Sequence, residues 1–309
     1  MSKEGKGIEI GRLKELIRAR SKAGANLGYA ERRRQMDANA EQFPVPAGVE
    51  VLKADLGGLG AEWNVPSGAA TAPVILYFHG GGYVQGSSVS HRHLTSRLAL
   101  AAKARVLSVD YALAPEAPFP AAVEDALKAY RWLIASGVEP QAIAFGGDSA
   151  GGGLTVATLI AARDKGLPMP AAAVAISPWT DLTCETETYK TRADADPMID
   201  QAGIKSIAAA YLNGADARYP LASPNFGELT GLPPMLIHVG SDEVLLDDAI
   251  TLHKRTRACG VEAEIEEWDG MIHVWHAFYQ MLPEGERAIE RLGDYLSARW
   301  KEAHVAVES

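Results

Sequence analysis

Two periodicities divide the chain. Ile10, Leu13 and Ile17 recur at helical spacing within residues 8–22, and residues 28–41 read as a second, more polar helix. Short apolar runs then take over. GVEVLKADL and LGAEWNVPS flank Gly57–Gly58 and predict an antiparallel strand pair. Six further runs follow at 73–78, 104–111, 142–147, 172–177, 235–240 and 262–268, mostly separated by helix-length segments such as 119–136 and 150–165. Strands that are apolar throughout are buried on both faces, so the pattern predicts an α/β fold with an eight-stranded, mostly parallel sheet between helical layers.

One connection is out of proportion. Fifty-seven residues separate Ser177 from Met235, and structureless loops of that length are rare in compact domains. Residues 201–213 supply a helix for an inserted subdomain. The expected organisation is therefore amino-terminal cap helices at 1–42, a core at 43–180, a cap insertion at 181–222 and the rest of the core at 223–309. Residues 1–42 are expected to pack with residues near 185–215 and bound a pocket.

Composition narrows the class. With 309 residues, 47% hydrophobic and 22% charged, the chain is an ordinary globular one and can bury a large core without a disulfide or metal. Its two cysteines, Cys184 and Cys259, stand far apart and in no metal-ligand spacing. The net charge of −9 argues against nucleic acid. Residues 1–34 nonetheless carry ten Lys/Arg against four Glu. Such a segment is either a solvated cap over an acidic domain or a membrane-surface helix; the first is the simpler reading. No run approaches the ~18 apolar residues of a membrane span, which makes a cytoplasmic location the expectation.

The chemistry concentrates in two glycine-rich motifs. Gly147-Asp148-Ser149-Ala150-Gly151 joins a buried strand to a helix, and small residues at −2 and +2 let the backbone turn sharply and expose the serine. His79-Gly80-Gly81-Gly82-Tyr83 follows an earlier strand, where unobstructed N–H groups can stabilise an oxyanion. The GDSxGG string also matches the nucleophile motif of chymotrypsin-like proteases, but those are β-barrels, not a strand leading into a helix. A serine hydrolase of this order needs an acid and then a histidine further on. Asp242, at the carboxyl end of the strand 235–240, is the expected acid; Asp247 and Asp248 compete but suit the first turn of a helix. His273, in the loop after the last strand, is the expected base, ahead of His276 and His304. His91 and His93 lie two apart on a helix, a poor geometry for a shared metal.

Taken with DYALAPEAPFPAAVEDA at 110–126, the segments HGGGY, GGDSAGG, GSDEVLLDD and GMIHVWHAF resemble the hormone-sensitive-lipase family of carboxylesterases along essentially the whole chain. The resemblance implies an α/β-hydrolase fold and a triad of Ser149, Asp242 and His273. It also implies an oxyanion hole from the amides of Gly81, Gly82 and Ala150, supported by His79, Gly80, Gly147 and Gly151. Two departures stand out. Ala112 and Ala117 replace the usual Arg and His, which puts the pairing of Glu116 and Asp125 in question. The acid segment reads Asp-Glu-Val where Asp-Pro-Leu is common. The implied reaction is hydrolysis of short-chain esters through an acyl-enzyme, with no cofactor and no metal. The partner is a small-molecule ester; no nucleic acid and no stable membrane insertion are expected, and a homodimer is compatible with the sequence. Lactones or amides would suit the same triad, and a ligand-binding receptor of this fold is the alternative from another class.

Overall fold

The computed structural model describes residues 9–24 and 27–308. Helices α1 (Ile10–Gly24) and α2 (Tyr29–Ala40) precede the strands β1 (Val49–Asp55), β2 (Gly60–Pro66) and β3 (Val74–Phe78). Next come α3 (Ser88–Ala102), β4 (Arg105–Val109), α4 (Ala121–Ala135), β5 (Ile143–Asp148), α5 (Ala150–Asp164) and β6 (Ala172–Ile176). The long connection contains a single turn, α6 (Thr188–Thr191), and a three-turn helix, α7 (Gln201–Leu212). β7 (Met235–Gly240), α8 (Leu246–Ala258), β8 (Ala263–Trp268) and α9 (Pro283–Glu308) complete the chain.

The strands form one sheet in the order β1-β2-β4-β3-β5-β6-β7-β8. β1 and β2 are antiparallel, β2 is antiparallel to β4, and the other pairs are parallel. Every residue of β3, β5, β6 and β7 is buried. Alternation then divides the core in two. Val74, Leu76 and Phe78 of β3 face α4, α5 and α8, whereas Ile75 and Tyr77 face α3 and α9.

The connection order positions the site. β3 leads into α3 on one face, and β5 leads into α5 on the other. Because the chain diverges to opposite faces between two neighbouring strands, a crevice opens at their carboxyl ends. Both glycine motifs stand there.

α1 places Leu13 and Ile17 mainly on Met271, Ile272, Trp275, Leu282 and Ala288, with Met198 as its apolar contact from the insertion. Its principal apolar seat is therefore the segment after the last strand, and it also meets the insertion, where Arg18 donates to Asp194 O and Ala195 O. α2 packs against α3, and Ser87 at the amino end of α3 donates to Asp37. Among the described residues no helix is long and apolar enough to cross a membrane.

The contact of α9 with α3 is close enough to test. A Cβ on Gly293 would lie 2.5 Å from the carbonyl carbon of Ala101. Gly293→Ala gains about 1 kcal/mol of helix propensity but forces two helices apart, at a typical cost of about 1–3 kcal/mol. The clash outweighs the gain, so chemical denaturation should find the variant less stable than the parent protein.

Candidate active site

The turn after β5 is held in a conformation that few residues adopt. Ser149 has φ 55° and ψ −121°, a strain of roughly 1–3 kcal/mol. Three backbone bonds impose it. The Ser149 N–H donates to Ile176 O at 2.9 Å, and its carbonyl accepts from Trp179 N at 2.9 Å and Gly153 N at 3.1 Å. The flanking glycines are required by contact: a Cβ on Gly151 would sit 1.9 Å from Phe78 O, and one on Gly147 would sit 2.3 Å from Gly151 O. Ala150 opens α5, so its amide is among the helix's unpaired amino-terminal donors.

The glycine loop after β3 is tied to that turn by charge. Gly80 N–H reaches Asp148 Oδ1 at 3.1 Å and lies 3.2 Å from His91 Nε2, while Tyr77 donates to the same carboxylate oxygen at 2.7 Å. His91 Nε2 stands 3.3 Å from Asp148 Oδ2. Burial pushes the His91 imidazole down, but Asp148 outweighs it and the net shift is upward. Burial likewise pushes Asp148 up, and His91 brings it below the usual range. The two interact beneath the loop, each favouring the charged form of the other. His79 is stacked on Tyr111 at 4.2 Å, and its pKa is lowered to about 4 by burial and by His91. A neutral His79 bonds its own loop through Gly80 O at 2.8 Å. Gly81 and Gly82 take positive φ, and their N–H groups have no protein acceptor among the described residues.

The structure brings Ser149 and His273 together, but it sets Glu243, not the expected Asp242, against the imidazole. His273 Nε2 is 2.9 Å from Ser149 Oγ, and its Nδ1 is 2.8 Å from Glu243 Oε2. Asp242 is not on this chain of bonds: its backbone N–H is fixed to Met271 O at 3.0 Å and its carboxylate pairs with Lys14 of α1. Glu243, one residue further round the bend, is fully buried beneath the histidine. Its Oε1 accepts from Gly240 N at 2.6 Å and Ser177 Oγ at 2.8 Å. The departure at Asp-Glu-Val was the available signal. Moving the family's Asp-Pro-Leu by one residue sets Glu243-Val244-Leu245 against it, with leucine on leucine.

The other candidates have structural partners. Asp247 accepts from Thr188 N, and buried Asp248 accepts from the amides of Thr180 and Asp181, so both tie α8 to the insertion. His276 is buried with Nε2 3.1 Å from His238 Nδ1, and His93 meets Ala277 O. The His304 side chain lies outside the described residues. At Ala112 the pairing question is answered locally. Asp125 accepts the Ala112 N–H, and Glu116 is paired by Arg33 of α2, which also donates to the carbonyls of Val84 and Ala114. α7 covers the glycine loop, with Tyr211 stacked on Tyr83 at 3.9 Å and Ile207 against Gly82. No cluster of three or more His, Cys, Asp or Glu side chains is set to hold a metal among the described residues.

A hydroxyl, an imidazole and a buried carboxylate in series, beside free backbone donors at a switch point of a parallel sheet, are the groups that the mechanism of a serine hydrolase of the α/β class calls for. Comparison with known proteins agrees. The model of the α/β-hydrolase-fold family matches residues 75–277. The acetyl-hydrolase of Streptomyces hygroscopicus is 52% identical over 236 residues, which cover 76% of this chain and 79% of that one. The esterase EstE5, in crystals soaked with p-nitrophenyl butyrate, is 51% identical at a TM-score of 0.91, covering 96% of this chain and 99% of its own. An esterase from the bacterial hormone-sensitive lipase family is 45% identical at a TM-score of 0.91, covering 97% and 100%. The chain belongs to the α/β-hydrolase family, in its bacterial hormone-sensitive lipase branch.

The two adjacent carboxylates give a clean comparison. Glu243→Gln should lower kcat by about 10⁴, the size of the equivalent change in a serine protease, while Asp242→Asn should cost far less. Burial lowers the His273 pKa, but the Glu243 bond and charge outweigh it and the net shift is upward. The base works only when neutral, so kcat/KM falls as pH drops through that raised pKa. Removing the Glu243 charge should move this acid limb to lower pH. A larger loss in Asp242→Asn would reverse the assignment.

Proposed function

We propose that this carboxylic ester hydrolase cleaves short-chain esters through an acyl-enzyme carried on Ser149, with His273 as base and Glu243 as the acid that orients it. The observation that carries the reading is the continuous bond path from Ser149 Oγ through His273 to Glu243. With Nδ1–H directed at Glu243, Nε2 is free to take the serine proton as Oγ attacks the ester carbonyl. The amides of Gly81, Gly82 and Ala150 would receive the oxyanion, each such donor contributing on the order of 10²–10³ in rate. His273 then gives the proton to the leaving alcohol, and water repeats the sequence to release the acid. No step calls for a cofactor or a metal.

The short-chain preference rests on the cap. Ile207 and Tyr211 of α7 stand directly over the glycine loop, which restricts the space beside the reacting carbon. The acetyl-hydrolase relative points the same way. A small-molecule ester is the substrate class, and a cytoplasmic location belongs to the same proposal.

Ser149→Ala should lower kcat on p-nitrophenyl butyrate by roughly 10⁴–10⁶ while leaving the unfolding transition in place. Turnover within tenfold of the parent would refute the nucleophile. Against p-nitrophenyl esters from C2 to C16, kcat/KM should peak at or below about C8; a maximum at C12 or beyond would refute the role given to α7.

A further inference from the structure

The peptide that carries Glu243 is gripped on both sides by the cap. On the side of residue 242, Lys14 of α1 pairs with the Asp242 carboxylate across 228 positions of sequence. On the side of residue 244, the insertion holds both polar groups of one residue. Asp196 Oδ2 accepts the Val244 N–H at 3.0 Å, and Thr188 Oγ1 donates to the Val244 carbonyl at 2.7 Å. Asp196 is itself buried and fixed, because its Oδ1 accepts from Met198 N at 2.8 Å and Ile199 N at 3.0 Å. The residues just before it are held by α1 in turn, through Arg18 donating to Asp194 O at 2.7 Å and Ala195 O at 3.4 Å. The two grips therefore share one helix, seated on the core by Leu13 and Ile17.

A carboxylate that must meet an imidazole at 2.8 Å tolerates little movement of its backbone. Apart from the cap, the loop after β7 is held by the Glu243 side-chain bonds to Gly240 and Ser177 and by the backbone bonds of Ser241 N to Trp268 O, Asp242 N to Met271 O and Leu246 N to Glu243 O, none of which reaches Val244. We infer that Lys14 and Asp196 are positioning residues for Glu243, through which α1 and the cap insertion hold the acid against His273. The inference rests on the reading of Glu243 as the acid of the triad. It assigns a use to cations of the amino-terminal segment inside the molecule: Lys14 and Arg18 have protein partners that lead to the reacting groups. It also makes the cap part of the catalytic geometry, not only a wall of the pocket.

Neither residue touches the substrate on this account, so their loss appears in kcat. Lys14→Met and Asp196→Asn should each lower kcat on p-nitrophenyl butyrate about tenfold, within the ~10²-fold that about 1 Å of misplacement can cost, and leave KM within about twofold. Lys14→Arg, which restores a cation, should recover most of the loss. Arg12→Met removes an exposed pair within α1 and should leave kcat unchanged. The decisive measurement is the double variant. In a Glu243→Gln background, Lys14→Met should cost nothing further, because the group it positions is gone. If the same loss persists there, or if the single variants change only KM or nothing, the positioning role is wrong. Should Asp196→Asn fail to fold, the Lys14 series carries the test alone, since the Lys14 side chain is only partly buried, unlike Asp196. The underlying reading fails separately: Glu243→Gln with parental kcat would remove the acid, whatever Lys14 does.

Discussion

Everything at this site depends on how closely two backbone turns approach each other. The start of α5 presses against the end of β3 at Gly151 and Phe78, at a distance that no side chain permits. That contact brings the strained serine turn and the glycine loop to one point, where the sheet sends its chain to opposite faces. Strain at Ser149 persists because neighbours over-determine it, through Ile176, Trp179 and Gly153. On the proposed mechanism, a nucleophile held this way needs no movement to meet its base, and the donors for the oxyanion are in place before substrate arrives.

Around this centre the protein uses buried charge sparingly, and for geometry. Asp148 and His91 pin Gly80 from below. Glu243 is fully buried yet has all its bonds satisfied, with Gly240, Ser177 and His273 around it. A buried carboxylate without such partners would cost several kcal/mol and would shift towards its neutral form. Arg33 performs the corresponding task at the outer side of the glycine loop, where it joins the carbonyls of Val84 and Ala114 to Glu116. The basic amino-terminus thus meets the core at both loops that carry the chemistry.

The fold was readable because its signals are local. Buried parallel strands are largely apolar, so β3, β5, β6 and β7 stood out from the helices between them. Ser149 and His273 were readable for a related reason: glycine turns and strand ends mark where a sharp bend can expose a side chain. Glu243 was not. Two adjacent carboxylates follow β7, and which one faces the histidine is decided by the bond from Asp242 N to Met271 O, a contact between distant segments. Lys14, Asp196, His91 and Arg33 were hidden in the same way, since each acts on a residue far off in sequence. The insertion was legible as excess length and as one helix, α7, but the bonds its irregular segments make to Val244 have no periodicity to reveal them.

The central claim is that Ser149 becomes acylated while His273 and Glu243 hold its proton path. Mixing the enzyme with p-nitrophenyl butyrate, quenching in acid within the first turnovers and locating the label by peptide mass spectrometry tests it directly. The account predicts one butyryl group per chain, on the peptide containing Ser149, with its early yield sharply reduced in Glu243→Gln. A label on another residue, or an undiminished early yield in that variant, would contradict it.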